Sequence, residues 1–95
     1  MIIVDINYIA PMHLVEEYLE EHRAFLHTYY HDGTFIASGR KEPRTGGIIL
    51  ARGSQENIEQ IVNQDPFKKN KIAEYTFTQF IPTMADENLT SLIEA

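Results

Sequence analysis

Between residues 12 and 31 apolar side chains recur at the spacing of a helix, and a histidine stands in their midst. At about 100° per residue, Leu14, Val15, Tyr18, Leu19, Phe25, Leu26 and Tyr29 fall within an arc of about 140°, with His22 near its centre. His13, His27 and His31 fall on the opposite side with Glu16, Glu20 and Arg23. A helix packs such an arc inward. One imidazole is therefore aimed at the interior, where a polar ring is costly unless a hydrogen bond receives it. The segment sets two expectations: a long helix lying on an apolar layer, and a partner for His22.

The flanking sequence supplies the layer. Residues 2–9 alternate, with Ile2, Val4, Ile6 and Tyr8 on one face of a strand and Ile3, Asp5, Asn7 and Ile9 on the other. Asp32-Gly33 stops the long helix. Thr34–Gly39 reads as a second strand, and Arg40–Gly46 as a polar hairpin connection. Gly47–Arg52 reads as a third strand. Ser54 is the expected N-cap of a second helix whose apolar face is Ile58, Ile61 and Val62. Asp65-Pro66 is expected to close that helix, because a residue before proline resists the helical conformation. Phe67–Lys71 follows as a basic connector, then Ile72–Ile81 as the last strand. A short helix over 86–95 is expected to begin at Asp86.

The order βαββαβ predicts an α+β, ferredoxin-like fold: a four-stranded antiparallel sheet with two helices on one face, plus a short C-terminal tail helix. The domain is expected to span 1–82, with 83–95 as a tail. The second sheet face is left bare. Ile3, Ile9, Ile36, Ile72 and Phe80 are expected there among Asp5, Asn7, Ser38 and Thr78. A large half-apolar surface calls for a partner, so a homodimer through the open face is the expectation.

Composition narrows the function. A chain of 95 residues forms one domain around one core. The formal charge of −6 argues against nucleic acid, whose binding rests on clustered Lys and Arg. With no cysteine there is no disulfide and no thiol catalysis. The N-terminal segment MIIVDINYIA lacks a basic leader and is interrupted by Asp5 and Asn7, so it does not read as a signal peptide. No apolar run approaches the roughly 20 residues of a membrane span. The expected location is cytoplasmic.

His22 and Asp65 are the first candidate pair. In this topology the end of the second helix lies beside the first, within reach of its inner arc. A carboxylate on one ring nitrogen fixes the tautomer and favours the imidazolium, leaving the other nitrogen to move protons near neutral pH. On periodicity alone the pattern fits a satisfied core histidine better, with an aspartate that bonds its own backbone ahead of Pro66. Ser38 offers a hydroxyl and Gly39 allows close approach to the backbone. Arg40 and Arg44 flank the hairpin and suit an anion. Tyr18 and Phe67, with Phe25 and Tyr29, suit a flat ligand or simply the core. His27 and His31 are spaced i, i+4 as a metal pair requires, but no acidic third ligand stands out, and no metal is expected. Gly46-Gly47 lacks the lysine and following helix of a phosphate loop.

These residues also resemble a known family. His22-Arg23 with Phe25-Leu26, Gly33, Ala37-Ser38-Gly39, Thr45-Gly46-Gly47-Ile48-Ile49, Asp65-Pro66-Phe67 and Glu74-Tyr75 are similar to the YCII-related (YciI-like) family, over residues 1–82. That family has a ferredoxin-like fold related to the dimeric α/β barrels that include muconolactone isomerase. The resemblance implies a dimer and an active site at a His–Asp pair, whose positions match His22 and Asp65. One departure is Arg40, where many members have proline. The expectation is then a cofactor-free enzyme that uses His22 as general acid/base, oriented by Asp65, in an elimination or isomerisation of a small anion. Ser38, Gly39, Arg40, Arg44, Tyr18 and Phe67 are the expected substrate contacts. The alternative is a non-catalytic dimeric module, binding a small ligand or a protein, with a structural His–Asp pair.

Overall fold

Strand β1 (Ile2–Tyr8) is an inner strand, hydrogen-bonded antiparallel to β3 (Gly46–Ala51) on one side and to β4 (Ala73–Gln79) on the other. β2 (Phe35–Arg40) pairs outside β3, so the antiparallel order is β2-β3-β1-β4. This computed structural model describes residues 1–93. Ile2, Val4 and Ile6 point to one face and are buried there with Ile49 and Ala51 of β3. Val15, Phe25, Ile58, Ile61, Val62 and Phe67 from the helices complete the same core. The α+β, ferredoxin-like arrangement expected from the periodicity is the one observed.

The helical layer has more pieces than two. The long helix is divided at Tyr18 into α1 (Met12–Glu17) and α2 (Leu19–His31). Tyr18 departs from helical geometry (φ −100°, ψ 4°), with its N–H still bonded to the Leu14 carbonyl at 3.3 Å. α2 ends as the sequence suggests, with Gly33 in the left-handed region (φ 84°) where glycine carries no side-chain penalty. Ser54 caps α3 (Gln55–Val62) by accepting from the Asn57 N–H at 3.2 Å.

Asp65-Pro66 is a start rather than a stop. α3 ends at Val62, and Asp65 caps a separate helix, α4 (Pro66–Lys69), by accepting from the Phe67 N–H at 3.0 Å. Proline fits the first helical position, whose N–H has no partner in any case. The expected connector is thus a capped turn with Phe67 buried beneath it.

Two side chains expected on the bare face lie elsewhere. Ile72 precedes β4 and is buried in the core, held by its N–H on the Phe67 carbonyl and its carbonyl on the Ile9 N–H, each at 2.8 Å. Ser38 is turned by a bulge. Phe35 lies opposite Ala51 and Ser38 opposite Ile49, so three steps along β2 match two along β3. The extra residue returns Ser38 to the helix side of the sheet. There its Oγ accepts from the Tyr30 hydroxyl at 2.5 Å.

The other face carries half-buried Ile3, Ile48 and Leu50 beside Asp5 and Thr76. The tail forms a short 3₁₀ segment, Glu87–Leu92, capped by Asp86. The end of the expected tail helix, residues 94–95, lies outside the described residues. Ile9, Phe80, Ile81, Met84, Leu89 and Ile93 are exposed. No helix among the described residues is long and apolar enough to cross a membrane.

Candidate active site

His22 reaches the partner its position demanded. α2 presents the imidazole inward and α4 presents the carboxylate of its cap, and Nδ1 of His22 lies 2.8 Å from Oδ1 of Asp65. A carboxylate only accepts, so Nδ1 carries the hydrogen and Nε2 is the free nitrogen. Asp65 has no exposed surface. Its Oδ1 also accepts from the Phe67 N–H, and Oδ2 accepts from the Tyr75 hydroxyl at 2.5 Å. Three donors on one buried carboxylate satisfy the desolvated charge. Burial pushes the Tyr75 hydroxyl above its ordinary range, and the neighbouring Asp65 charge pushes it further, so Tyr75 remains a donor.

The imidazole plane is set by packing. Phe67 stacks on it at 4.1 Å between centroids and 7° between planes, and Tyr8 meets Phe67 edge-on at 5.9 Å. His22 also borders a cleft of about 550 Å³ between α2 and the β2–β3 hairpin. No buried side-chain nitrogen or oxygen among the described residues lacks a hydrogen-bond partner. Nε2 has no hydrogen bond among the described residues, so it is open to the cleft rather than sealed.

The cleft gathers most of the residues singled out in the sequence. Ser38, Gly39, Arg40, Arg44 and Phe67 line it together with His22. Asp65 stands behind His22 and does not line it. Tyr18 is not part of the lining; it sits at the break between α1 and α2, packed against the core. Arg44 lies 3.8 Å from Glu16. Gly46 fits because β1 passes so close that a Cβ there would stand 1.8 Å from the Ile6 carbonyl oxygen. His27 and His31 border a separate shallow depression with Thr28 and Tyr30. Among the described residues no group of three or more His, Asp or Glu side chains is placed to hold a metal.

Three further residues belong to this region. Tyr75 completes the carboxylate from β4, where it shares a face with Ala73 and Phe77. Tyr8 and Arg23 line the cleft as well. The helical phase puts Arg23 on the solvent side of α2, and its side chain is 60% exposed, yet its position next to His22 brings it to the rim. A long side chain one residue from an inward position can serve both surfaces.

Comparison with known proteins agrees with this geometry at the level of fold. The chain resembles a solved structure described as 5-chloro-2-hydroxyhydroquinone dehydrochlorinase from Burkholderia phenoliruptrix, in complex with 2,5-dihydroxybenzoquinone. The TM-score is 0.69 at 15% identity, over 84% of this chain and 93% of that one. No curated protein matches the chain. The family model of the YCII-related domain matches residues 1–81, which hold the whole sheet, the four helices and the cleft. The chain therefore belongs to the YCII-related domain family.

Proposed function

We propose that the protein is a cofactor-free acid/base enzyme acting on a small, flat, anionic substrate by elimination or isomerisation. The observation that supports this most is the pair of environments around one ring: Nδ1 of His22 on buried Asp65, and Nε2 open to a cleft rimmed by arginines. In the reaction, Nε2 removes a proton from the substrate. The electron pair left behind forms a new double bond. In an elimination the leaving group departs with its own bonding pair, and the imidazolium then loses its proton to solvent. In an isomerisation the imidazolium returns the proton at another atom. Asp65 stabilises the imidazolium throughout.

Arg40 and Arg44 hold the anionic oxygens, Ser38 and the Gly39 backbone contact the ring substituents, and Phe67 offers an aromatic face. The structural neighbour is named for removing hydrogen and chloride, an elimination, and it holds a flat oxygen-bearing ring. That chemistry fits the cleft found here. The test is a panel of hydroxylated and chlorinated ring phenols with wild type and His22→Gln. The proposal predicts turnover of one of them that depends on His22, with a pH–rate profile whose low-pH limb is lost in the variant. Turnover equal in both proteins overturns it.

One observation favours a second reading. Asp65 also caps α4, so the pair has a structural duty. A dimeric binding module would use the same cleft without chemistry, and it would show ligand binding with no His22-dependent turnover. Under either reading the chain pairs with a second copy through the open sheet face around Ile3, Ile48 and Leu50. Sedimentation of wild type and Leu50→Lys tests this, with the variant expected to run as a monomer.

A further inference from the structure

We infer that Tyr75 is a positioning residue for the His22–Asp65 pair, tuning the proton affinity of the imidazole through the carboxylate without touching substrate. This rests on the acid/base reading for its effect on turnover, but not for its effect on the imidazole itself. The geometry divides the carboxylate between two tasks. Oδ1 faces His22 Nδ1 and the Phe67 N–H, while Oδ2 faces the Tyr75 hydroxyl at 2.5 Å. Tyr75 stands on β4 opposite Ile6, on the sheet face that carries the helices, and is absent from the cleft lining. It does not line the cleft, but it grips the residue that grips His22.

The chemistry gives the sign. A donor on Oδ2 draws negative charge from the carboxylate and weakens its hold on the proton that it shares with Nδ1. Removing the hydroxyl leaves Oδ2 unpaired in a buried site. The carboxylate then becomes a stronger acceptor, the imidazolium is favoured, and the pair holds its proton to higher pH. Other ionisable groups face this assembly. Tyr8 comes from β1, Lys68 of α4 lies 5.9 Å from the Tyr75 ring centroid, and Arg23, Arg40 and Arg44 share the cleft with His22. None of their side chains hydrogen-bonds to the Asp65 carboxylate; Lys68 meets Asp65 only through its backbone N–H on the Asp65 carbonyl. Tyr75 alone supplies a side-chain hydroxyl to the carboxylate among the described residues.

The test is an NMR titration of the His22 imidazole in wild type and Tyr75→Phe, followed by the pH–rate profile on any ring phenol that the wild type turns over. Tyr75→Phe keeps the ring and is expected to raise the His22 midpoint by about one pH unit, with the same displacement in the low-pH limb of the rate. A second variant keeps the idea open to refutation if Tyr75→Phe does not fold: 3-fluorotyrosine at position 75, a more acidic and stronger donor, is expected to lower the midpoint. An unchanged midpoint, or one displaced in the opposite direction in either protein, overturns the assignment. A displaced midpoint in a protein without turnover upholds the role of Tyr75 and counts against the enzyme reading. Turnover with an unmoved midpoint does the reverse.

Discussion

The two walls of the cleft are built in opposite ways. On the helix side, His22 is fixed at one nitrogen and one ring face, by Asp65 at Nδ1 and Phe67 stacked on the ring, with Tyr75 behind the carboxylate. On the hairpin side, the arginines are long, exposed and loosely paired, with Arg44 3.8 Å from a largely exposed Glu16. Proton transfer requires a group fixed within a fraction of an ångström, and burial with full hydrogen bonding provides that. Attraction of an anion requires charge at the mouth, and flexible side chains provide that at little cost in folding. On the proposed function, the contrast gives chemistry to one wall and capture to the other.

The largest expected effect breaks the helix-side wall. His22→Gln removes the acid/base and is expected to lower turnover by roughly 10²–10⁴-fold while the fold survives, as read by steady-state kinetics beside a far-UV spectrum. Next, Asp65→Ala takes the acceptor from three donors at once. It is expected to cost about 3–5 kcal/mol in a urea titration, because the groups left behind are buried and unpaired. Asp65→Asn keeps an acceptor for the Phe67 N–H and should lose less stability than the alanine variant while still impairing turnover.

The hairpin wall responds differently. Arg40→Ala and Arg44→Ala are each expected to raise KM about tenfold with little change in kcat, equivalent to about 1.4 kcal/mol of binding. If instead kcat falls and KM stays, the division of labour between the walls is wrong. A smaller effect separates the walls by pH. The Tyr75 hydroxyl is held protonated in the folded protein above its ordinary value of 10.0. The stability that goes with it is complete below about pH 10 and is lost above, because the unfolded chain releases a proton that the folded chain retains. The slope reaches at most about 1.4 kcal/mol per pH unit, and Tyr75→Phe should flatten it in urea titrations run from pH 9 to 11. Smallest of all, Glu16→Gln beside Arg44 is expected to change stability by less than about 0.5 kcal/mol in the same titration, since both partners are solvated.

Much of this contrast was readable from the chain. The helical phase of 12–31 marked His22 as inward, and Asp65 near the close of the second helix was a candidate partner that the family resemblance, not the periodicity, favoured. The tyrosine was not readable in the same way. Tyr75 is ten residues from Asp65, on a different element, and meets it only because β4 runs beside β1 beneath α4. Asp65 also resisted assignment, because a residue before proline reads as the end of a helix or as the cap of the next, and local sequence permits both. Here Phe67 decides: the turn that buries its ring needs the cap.

The sequence by itself determined the order of the strands and of the two main helical segments, the inward face of β1 and of those helices, and the imidazole that needed a partner, because these follow from periodicities of two and 3.6 and from capping within a few residues. Tertiary structure alone decided which way Ser38 faces, where Arg23 ends, and that the carboxylate is shared with Tyr75. Each of these depends on register between strands or on contact between elements distant in the chain. A bulge that adds one residue to β2 turns Ser38 through the sheet. His22 and Asp65, 43 residues apart, meet only where α2 and α4 share one face of the sheet.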